Sequence, residues 1–90
     1  MLGPSPRRTL EGNAVTDLHF PRPRADPHEP GELLRWLAAD GERVRGGEAV
    51  AEVRADGRTR AVLAPASGTL WWQGRAGERF TPGSIIGLVE

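Results

Sequence analysis

The stretch WLAADGERVRGGEAVAEV, residues 36–53, is repeated in outline by WQGRAGERFTPGSIIGLV, residues 72–89. The two stretches share a tryptophan, a Gly-Glu-Arg triplet, a later glycine and a final valine, each pair separated by 36 positions. An internal repeat of this length indicates one supersecondary unit used twice. Neither copy is long enough to bury an apolar face alone, so we expect the two copies to pack together as a pseudo-symmetric pair.

Glycine-containing turns divide both copies into short strand-like runs. Asp40-Gly41 and Asp56-Gly57 tolerate the positive φ angles of tight hairpin turns. Asp56-Gly57 separates the strand-like runs 49–54 and 59–63, which predicts a two-residue hairpin. Short strands with such turns are typical of all-β folds. The sequence therefore predicts an all-β sandwich or flattened barrel with internal pseudo-two-fold symmetry.

The chain before the repeat has a different composition. Residues 1–13 are rich in proline, glycine, serine and arginine without an apolar period, which predicts a flexible N-terminal tail. Residues 14–20 alternate in polarity and predict a short edge strand that ends at Pro21. A proline-rich loop follows as far as Pro30. We expect one domain over residues 14–90.

The predicted core consists mostly of positions that are large and apolar in both copies. It comprises Leu34, Trp36, Val44, Val50, Val53, Val62, Leu70, Trp72, Phe80, Ile86 and Val89. Trp71 precedes Trp72 directly, and successive side chains of a strand point to opposite faces. We therefore expect Trp71 to lie on the solvent face.

Composition limits the function classes. The 90-residue chain has twelve basic and twelve acidic residues, so it lacks the basic field that attracts nucleic acid. It has no cysteine and no run of about 18 apolar residues, and we expect a cytoplasmic protein without a membrane segment. All twelve basic residues are arginine. The chain therefore offers no lysine amine for acylation.

Several ordered motifs within residues 31–90 resemble the biotinyl/lipoyl attachment domains, the carrier modules of 2-oxo acid dehydrogenase acyltransferases and biotin-dependent carboxylases. Residues 36–53 are similar to the family's tryptophan strand, G-[DE]-x-V-x-x-G-[DE] turn and first central strand. Residues 64–68 are similar to its A-P-x-x-G crossing, and residues 77–83 to its closing glycine turn. The resemblance implies a single-hybrid fold of two four-stranded antiparallel sheets.

In that family, a hairpin far from the chain termini presents the lysine that carries the prosthetic arm. Counted back from Pro65 of the crossing, the lysine position falls on Gly57. Lipoate and biotin are attached through an amide, which requires a primary amine. Arginine cannot replace lysine, because its guanidinium stays protonated. The resemblance therefore implies a degenerate member that holds no covalently attached cofactor.

Residues around the expected hairpin are the candidate partner contacts. They are Arg54, Asp56, Gly57, Arg58 and Arg60, together with Trp71 as an exposed aromatic residue. The arginines would recognise a partner protein through charge-assisted hydrogen bonds. The alternative is a solvated, charged edge that prevents one sheet from aggregating with another. The spacing of the arginines fits both interpretations.

The sequence contains no pattern that indicates catalysis or a metal site. His19 and His28 have no second ligand cluster beside them, and we expect both to be surface residues. Ser5, Ser67 and Ser84 have no histidine base in a matching motif. We therefore expect a protein that is not an enzyme.

Two functions fit these features. The first is an interaction or structural module that docks where a true carrier would dock, on a protein partner such as a subunit of an acyltransferase or carboxylase complex. The second is a carrier-type component of such a system whose arm lies on another domain or subunit. Membrane-fusion adaptors resemble the same fold more weakly, because their long helical hairpin has no counterpart in this sequence. Homo-oligomerisation, through an edge strand or Trp71, stays open.

Overall fold

The computed structural model describes residues 14–24 and 26–90, and these residues form eight β-strands without a helix. The strands are β1 (Thr16–His19), β2 (Gly31–Trp36), β3 (Arg43–Val44), β4 (Ala49–Ala55), β5 (Arg58–Leu63), β6 (Gly68–Trp72), β7 (Arg79–Phe80) and β8 (Ile85–Val89). No helix of this described part could cross a membrane. The expected flexible tail, residues 1–13, lies outside the described residues.

The strands form two four-stranded antiparallel sheets. The order in one sheet is β1-β8-β6-β3, and in the other it is β5-β4-β2-β7. Each strand has a counterpart four strands earlier or later, and replacing every strand by its counterpart converts one order into the other. Each sheet contains two of the strands β1–β4 and two of the strands β5–β8, so it takes strands from both halves of the chain. The prediction of an all-β sandwich is confirmed. The end strands of each sheet are not joined to one another in the described residues, so neither sheet closes into a barrel.

Apolar side chains from both sheets form one core. Among the largest fully buried side chains are Phe20, Leu33, Leu70, Ile86, Val50, Val53 and Val89. Seven predicted core residues are buried, namely Val44, Val50, Val53, Val62, Leu70, Ile86 and Val89. Trp36 and Phe80 are partly buried and pack against this cluster. Leu18 and Phe20 are also buried, although the predicted core does not include them; they come from the short edge strand β1 and the residue after it.

The predicted burial of Leu34 is wrong, because β2 contains a bulge. Leu33 lies opposite Val53 on β4, and the next paired residue, Arg35, lies opposite Glu52. Leu34 is therefore an extra residue in β2, and it is only half-buried. Leu33, which is fully buried, occupies the place in its sheet that Leu70 occupies in the other.

Two backbone hydrogen bonds also show that Leu33, and not Leu34, is the counterpart of Leu70. The N–H of Gly77 donates to the carbonyl of Leu33, and the N–H of Gly41 donates to the carbonyl of Leu70, both at 2.7 Å. The separation of 36 positions therefore applies from Arg35 onward, whereas residues 31–33 correspond to residues 68–70. A bulge adds one residue to one strand without changing its partner.

The tryptophans of the repeat stack on each other across the sandwich. The rings of Trp36 and Trp72 have centroids 5.4 Å apart and planes within 11° of parallel. Trp36 Nε1 donates to the carbonyl of Gly74, and Trp72 Nε1 donates to the carbonyl of Ala38, both at 3.1 Å. Trp72 remains 39% exposed, so the prediction that it is a buried core residue is wrong. The pair covers one end of the core instead.

The predicted turn at Asp40-Gly41 exists, and Gly41 has a φ of 87°. However, it does not form a hairpin, because it joins β2 to β3 in the other sheet. The glutamates of the repeated triplet stabilise equivalent turns: Glu42 accepts from the N–H of Ala39 at 2.7 Å, and Glu78 accepts from the N–H of Arg75 at 2.6 Å. The Gly-Glu pair therefore recurs because both copies use it to close the same turn.

Candidate functional site

The β4–β5 hairpin carries most of the candidate contact residues. Ala55 and Arg58 lie opposite each other, and only Asp56 and Gly57 separate them. The φ angles of Asp56 and Gly57 are 57° and 71°, the positive values that a type I′ turn requires at both central residues. The predicted two-residue hairpin is confirmed. Asp56 is the non-glycine residue with positive φ in the described chain, and aspartate adopts this conformation more readily than most residues.

Gly57 is fully open to its surroundings. A side chain built there would meet no atom within 4 Å, and the residue is exposed. An attachment residue would be accessible at this position, but glycine has no group to modify. The neighbouring Arg58 is exposed as well, and its guanidinium is not an acyl acceptor.

The structure separates the three arginines that the sequence places close together. Arg58 lies opposite Ala55 and Arg60 lies opposite Val53, and both of these partners are buried. Because directly opposed residues share a face of the sheet, Arg58 and Arg60 project on the core-facing side of β5. Arg54 lies opposite Thr59, on the solvent face of the sheet. The two-residue turn places Arg58 opposite Ala55, the neighbour of Arg54, so Arg54 and Arg58 lie on opposite faces of the sheet.

Arg58 and Arg60 stay exposed although they lie on the core-facing side, because β5 is the last strand of its sheet. Val62, on the same side, is 7% exposed. Within the part of the chain that the structure describes, neither arginine has a carboxylate within ion-pair distance. The two positive charges therefore lie at the edge of the sheet, outside the core, and no carboxylate of the described residues pairs with them.

A small cleft of about 160 Å³ lies beside the turn of the hairpin. It is lined by Glu29, Pro30, Gly31, Glu32, Arg54, Asp56, Gly57 and Arg79. Glu32 lies on the central strand β2, directly opposite Arg54 on one side and Arg79 on the other. Arg79 Nη2 donates to the carbonyl of Pro30 at 3.3 Å. Its charges are mixed, so the cleft does not select for an anion or a cation.

Trp71 lies on the other sheet, away from the arginines. It projects from β6 opposite Leu88, and a Cβ at Gly41 would lie 3.4 Å from its ring. Its solvent-facing position is confirmed, with 39% of its surface exposed. The structure therefore divides the candidate contact residues between two surfaces, the β4–β5 hairpin and the outer face of the β6–β8 pair.

The outer faces of the two sheets differ at one pair of positions, and this difference was not predicted. At the place where β6 and β8 hold Trp71 and Leu88, strands β2 and β4 hold Arg35 and Glu52, which form an ion pair at 2.6 Å. The repeat itself contains the signal, because both pairs are separated by 36 positions. Comparing the residues that differ between the copies would have identified this apolar replacement.

The histidines and serines have local roles. His19 Nδ1 donates to the carbonyl of Gly83 at 2.9 Å, and the backbone N–H of His28 donates to Asp26 Oδ1 at 3.1 Å. Ser67 Oγ accepts from the N–H of Gly46 at 2.9 Å. Among residues 14–24 and 26–90, no three side chains of histidine or acidic residues are grouped as metal ligands would be.

Comparison with known proteins does not assign the chain to a family. No family model matches the sequence, and no curated protein matches it significantly. A functional assignment therefore depends on the chain's own residues and their arrangement.

Proposed function

We propose that this chain is a non-catalytic domain of the biotinyl/lipoyl type that acts as a protein-interaction or structural accessory module. The two four-stranded antiparallel sheets and their equivalent strand orders support the proposal, because the resemblance implies two such sheets with internal pseudo-two-fold symmetry. The glycine and proline motifs of residues 31–90 support it as well. The cytoplasmic location and the absence of nucleic-acid and membrane partners remain predictions.

The observation that carries the proposal is the turn between β4 and β5. It is exposed and tight, and it lies where the resemblance places the attachment lysine, but its residues are Asp56 and Gly57. The chain contains no lysine elsewhere. The hairpin keeps its shape and its accessibility without the attachment chemistry. The functions left to such a hairpin are those that need only a surface.

The mass of the protein tests the absence of an arm. We expect intact-mass spectrometry of protein purified from the cells that produce it to give the mass of the unmodified polypeptide. A lipoyl or biotinyl adduct on any residue would contradict the proposal. A similarly purified carrier domain with an attachment lysine serves as the positive control for modification in those cells.

Affinity capture tests the interaction. We expect the wild-type chain to recover a partner that the Arg58→Glu variant loses, because the variant reverses a charge beside the turn. The matched control is Arg43→Glu, which makes the same change on β3 of the other sheet and should recover the partner. Equal recovery by all three proteins would exclude the hairpin as the contact surface.

The same capture separates the second function from the first. If the recovered partner carries a lipoyl or biotinyl lysine, the chain is a component of a carrier system whose arm lies on another subunit. If the partner is unmodified and binds no such subunit, the chain is an independent interaction module.

A further inference from the structure

The longest open strand edge of the described structure belongs to β5. The end strands of the two sheets are β1, β3, β5 and β7. Strands β3 and β7 have two residues each, and β1 has four residues and leads into the proline-rich loop. Strand β5 has six residues and no proline. Among residues 14–24 and 26–90 it pairs only with β4, so one of its edges has no strand of the described chain beside it.

The open edge of β5 carries unpaired backbone groups at alternate residues. In an antiparallel ladder, successive residues direct their N–H and C=O groups to opposite edges. Ala64, just after the strand, exchanges hydrogen bonds with the β3–β4 turn on the β4 side, because its N–H donates to Glu48 and its carbonyl accepts from Gly47. Counting back by alternation, Thr59, Ala61 and Leu63 direct their backbone groups to the open edge. Three donors and three acceptors are thus available to another strand.

The side chains along this edge specify the charge of such a strand. Arg58 and Arg60 lie on the core-facing side, followed by the buried Val62. The residues of β1 equivalent to Arg60 and Val62, 44 positions earlier, are Thr16 and Leu18, and Ala14, the counterpart of Arg58 by this count, lies before β1 begins. The fold therefore does not require an arginine at position 60, because β1 forms the equivalent part of its edge with Thr16 there.

We propose that the open edge of β5 binds an acidic, extended segment of a partner protein as a fifth antiparallel strand. In this register, acidic side chains at alternate positions lie opposite Arg58 and Arg60, and opposite charges on facing strands attract. Apolar side chains of the partner strand lie opposite Val62 and Leu63. The side chain of Leu63 is 53% exposed. The recognised pattern, from the amino terminus, is apolar, apolar, any residue, acidic, any residue, acidic. This mode takes its affinity from main-chain hydrogen bonds and its specificity from alternate side chains.

A second copy of the same edge is a poor occupant. Antiparallel pairing of two β5 strands about Arg60 would bring the arginines of the two copies together, and like charges directly opposite each other are destabilising. The charged edge therefore discourages self-association while it accepts a strand of opposite charge. This inference rests on the proposed interaction function and identifies the chemistry of the partner.

The first test uses two synthetic peptides and the whole chain. The acidic probe is acetyl-Leu-Val-Thr-Glu-Thr-Glu-amide, and the basic control is acetyl-Leu-Val-Thr-Arg-Thr-Arg-amide. In a titration followed by the amide resonances of the protein, we expect the acidic peptide to bind about tenfold or more tightly than the basic one. The largest shifts are expected at Thr59, Ala61 and Leu63. Absence of saturable binding would overturn the inference and leave the arginines with the role of preventing aggregation.

Variants distinguish strand addition from simple charge attraction. The double variant Arg58→Glu/Arg60→Glu should reverse the preference between the two peptides, whereas Arg54→Glu, on the solvent face of the same sheet, should preserve it. Ala61→Pro removes an N–H that points to the open edge but leaves the β4–β5 ladder intact, so it should abolish binding. Thermal unfolding of each variant verifies that it is folded. If Ala61→Pro binds the acidic peptide as the wild type does, no strand is added at this edge.

The outcome is separable from that of the proposed function. A partner captured in an Arg58-dependent manner, together with failure of the acidic peptide to bind, would reject the fifth strand and keep the interaction module. Conversely, if the purified chain carries a prosthetic adduct but binds the acidic peptide, the proposed function is rejected and the fifth strand is kept.

Discussion

Two glycines show that the same residue type is required for different reasons. Gly57 needs its φ of 71°, and a side chain there would meet nothing within 4 Å. Gly31 has no such backbone requirement, but a Cβ there would lie 2.5 Å from the carbonyl oxygen of Arg54 and 2.6 Å from the Phe20 ring. The cost of a methyl group is therefore conformational at Gly57 and steric at Gly31.

These causes predict different losses of stability. We expect Gly57→Ala to lower the free energy of unfolding by about 1 kcal/mol, the strain of a left-handed alanine. Gly31→Ala should lower it by about 2–3 kcal/mol, because the core and the β4 backbone must move apart. Urea unfolding followed by tryptophan fluorescence measures both. Gly57→Asn is the control and should stay near the wild type, since asparagine tolerates this conformation. An equal loss for the two alanine variants would contradict this explanation.

At the scale of the strands, local signals were sufficient for the turns but not for the register. The Asp56-Gly57 hairpin follows from turn chemistry alone, and the predicted strand-like runs 49–54 and 59–63 lie within β4 and β5. The repeat distance matches Leu34 to the buried Leu70 and so predicts a core position for Leu34, but one bulge makes that match wrong. A bulge depends on the pairing of β2 with β4, which no short stretch of sequence specifies.

The candidate site was predictable to a similar degree. The residues of the hairpin and the exposure of Trp71 follow from the sequence. The exposure of Arg58 and Arg60 on the core-facing side does not, because it depends on β5 being the last strand of its sheet. The two-residue strands β3 and β7 had no sequence signal, since they are defined by their pairing with β6 and β2.

The bulge predicts an unusual tolerance to deletion. Without Leu34, β2 would pair with β4 as β6 pairs with β8, where no bulge occurs. We expect this deletion to fold cooperatively and to cost about 1 kcal/mol, a typical effect of a single change. Deletion of Trp71 is the matched control. Strand β6 has no bulge, so this deletion turns Trp72 to the other face of the sheet and should abolish the cooperative unfolding transition. Circular dichroism melts compare the two, and similar behaviour would show that Leu34 is not an inserted residue.

At the scale of the whole molecule, the two sheets have equivalent strand orders but different outer faces. One face holds the Arg35–Glu52 ion pair and the other holds Trp71 and Leu88. The charged β4–β5 hairpin has no equivalent in the other sheet. The strands that correspond to β4 and β5 are β8 and β1, and no turn joins the end of β8 to the start of β1. The two halves thus have similar interiors and differ on their surfaces, where the proposed partner contacts lie.

The Trp36–Trp72 stack joins these halves, and a double-mutant cycle measures how strongly. Each indole donates a hydrogen bond to a carbonyl beside the other tryptophan, so Trp36→Phe and Trp72→Phe should each cost about 1 kcal/mol. Replacing both by alanine also removes the ring contact. We expect the alanine cycle to give a coupling energy of about 0.5–1.5 kcal/mol in urea unfolding, because stacked aromatic pairs contribute beyond their buried area. Strictly additive alanine losses would mean that each tryptophan stabilises only its own half, and that other core contacts hold the sheets together.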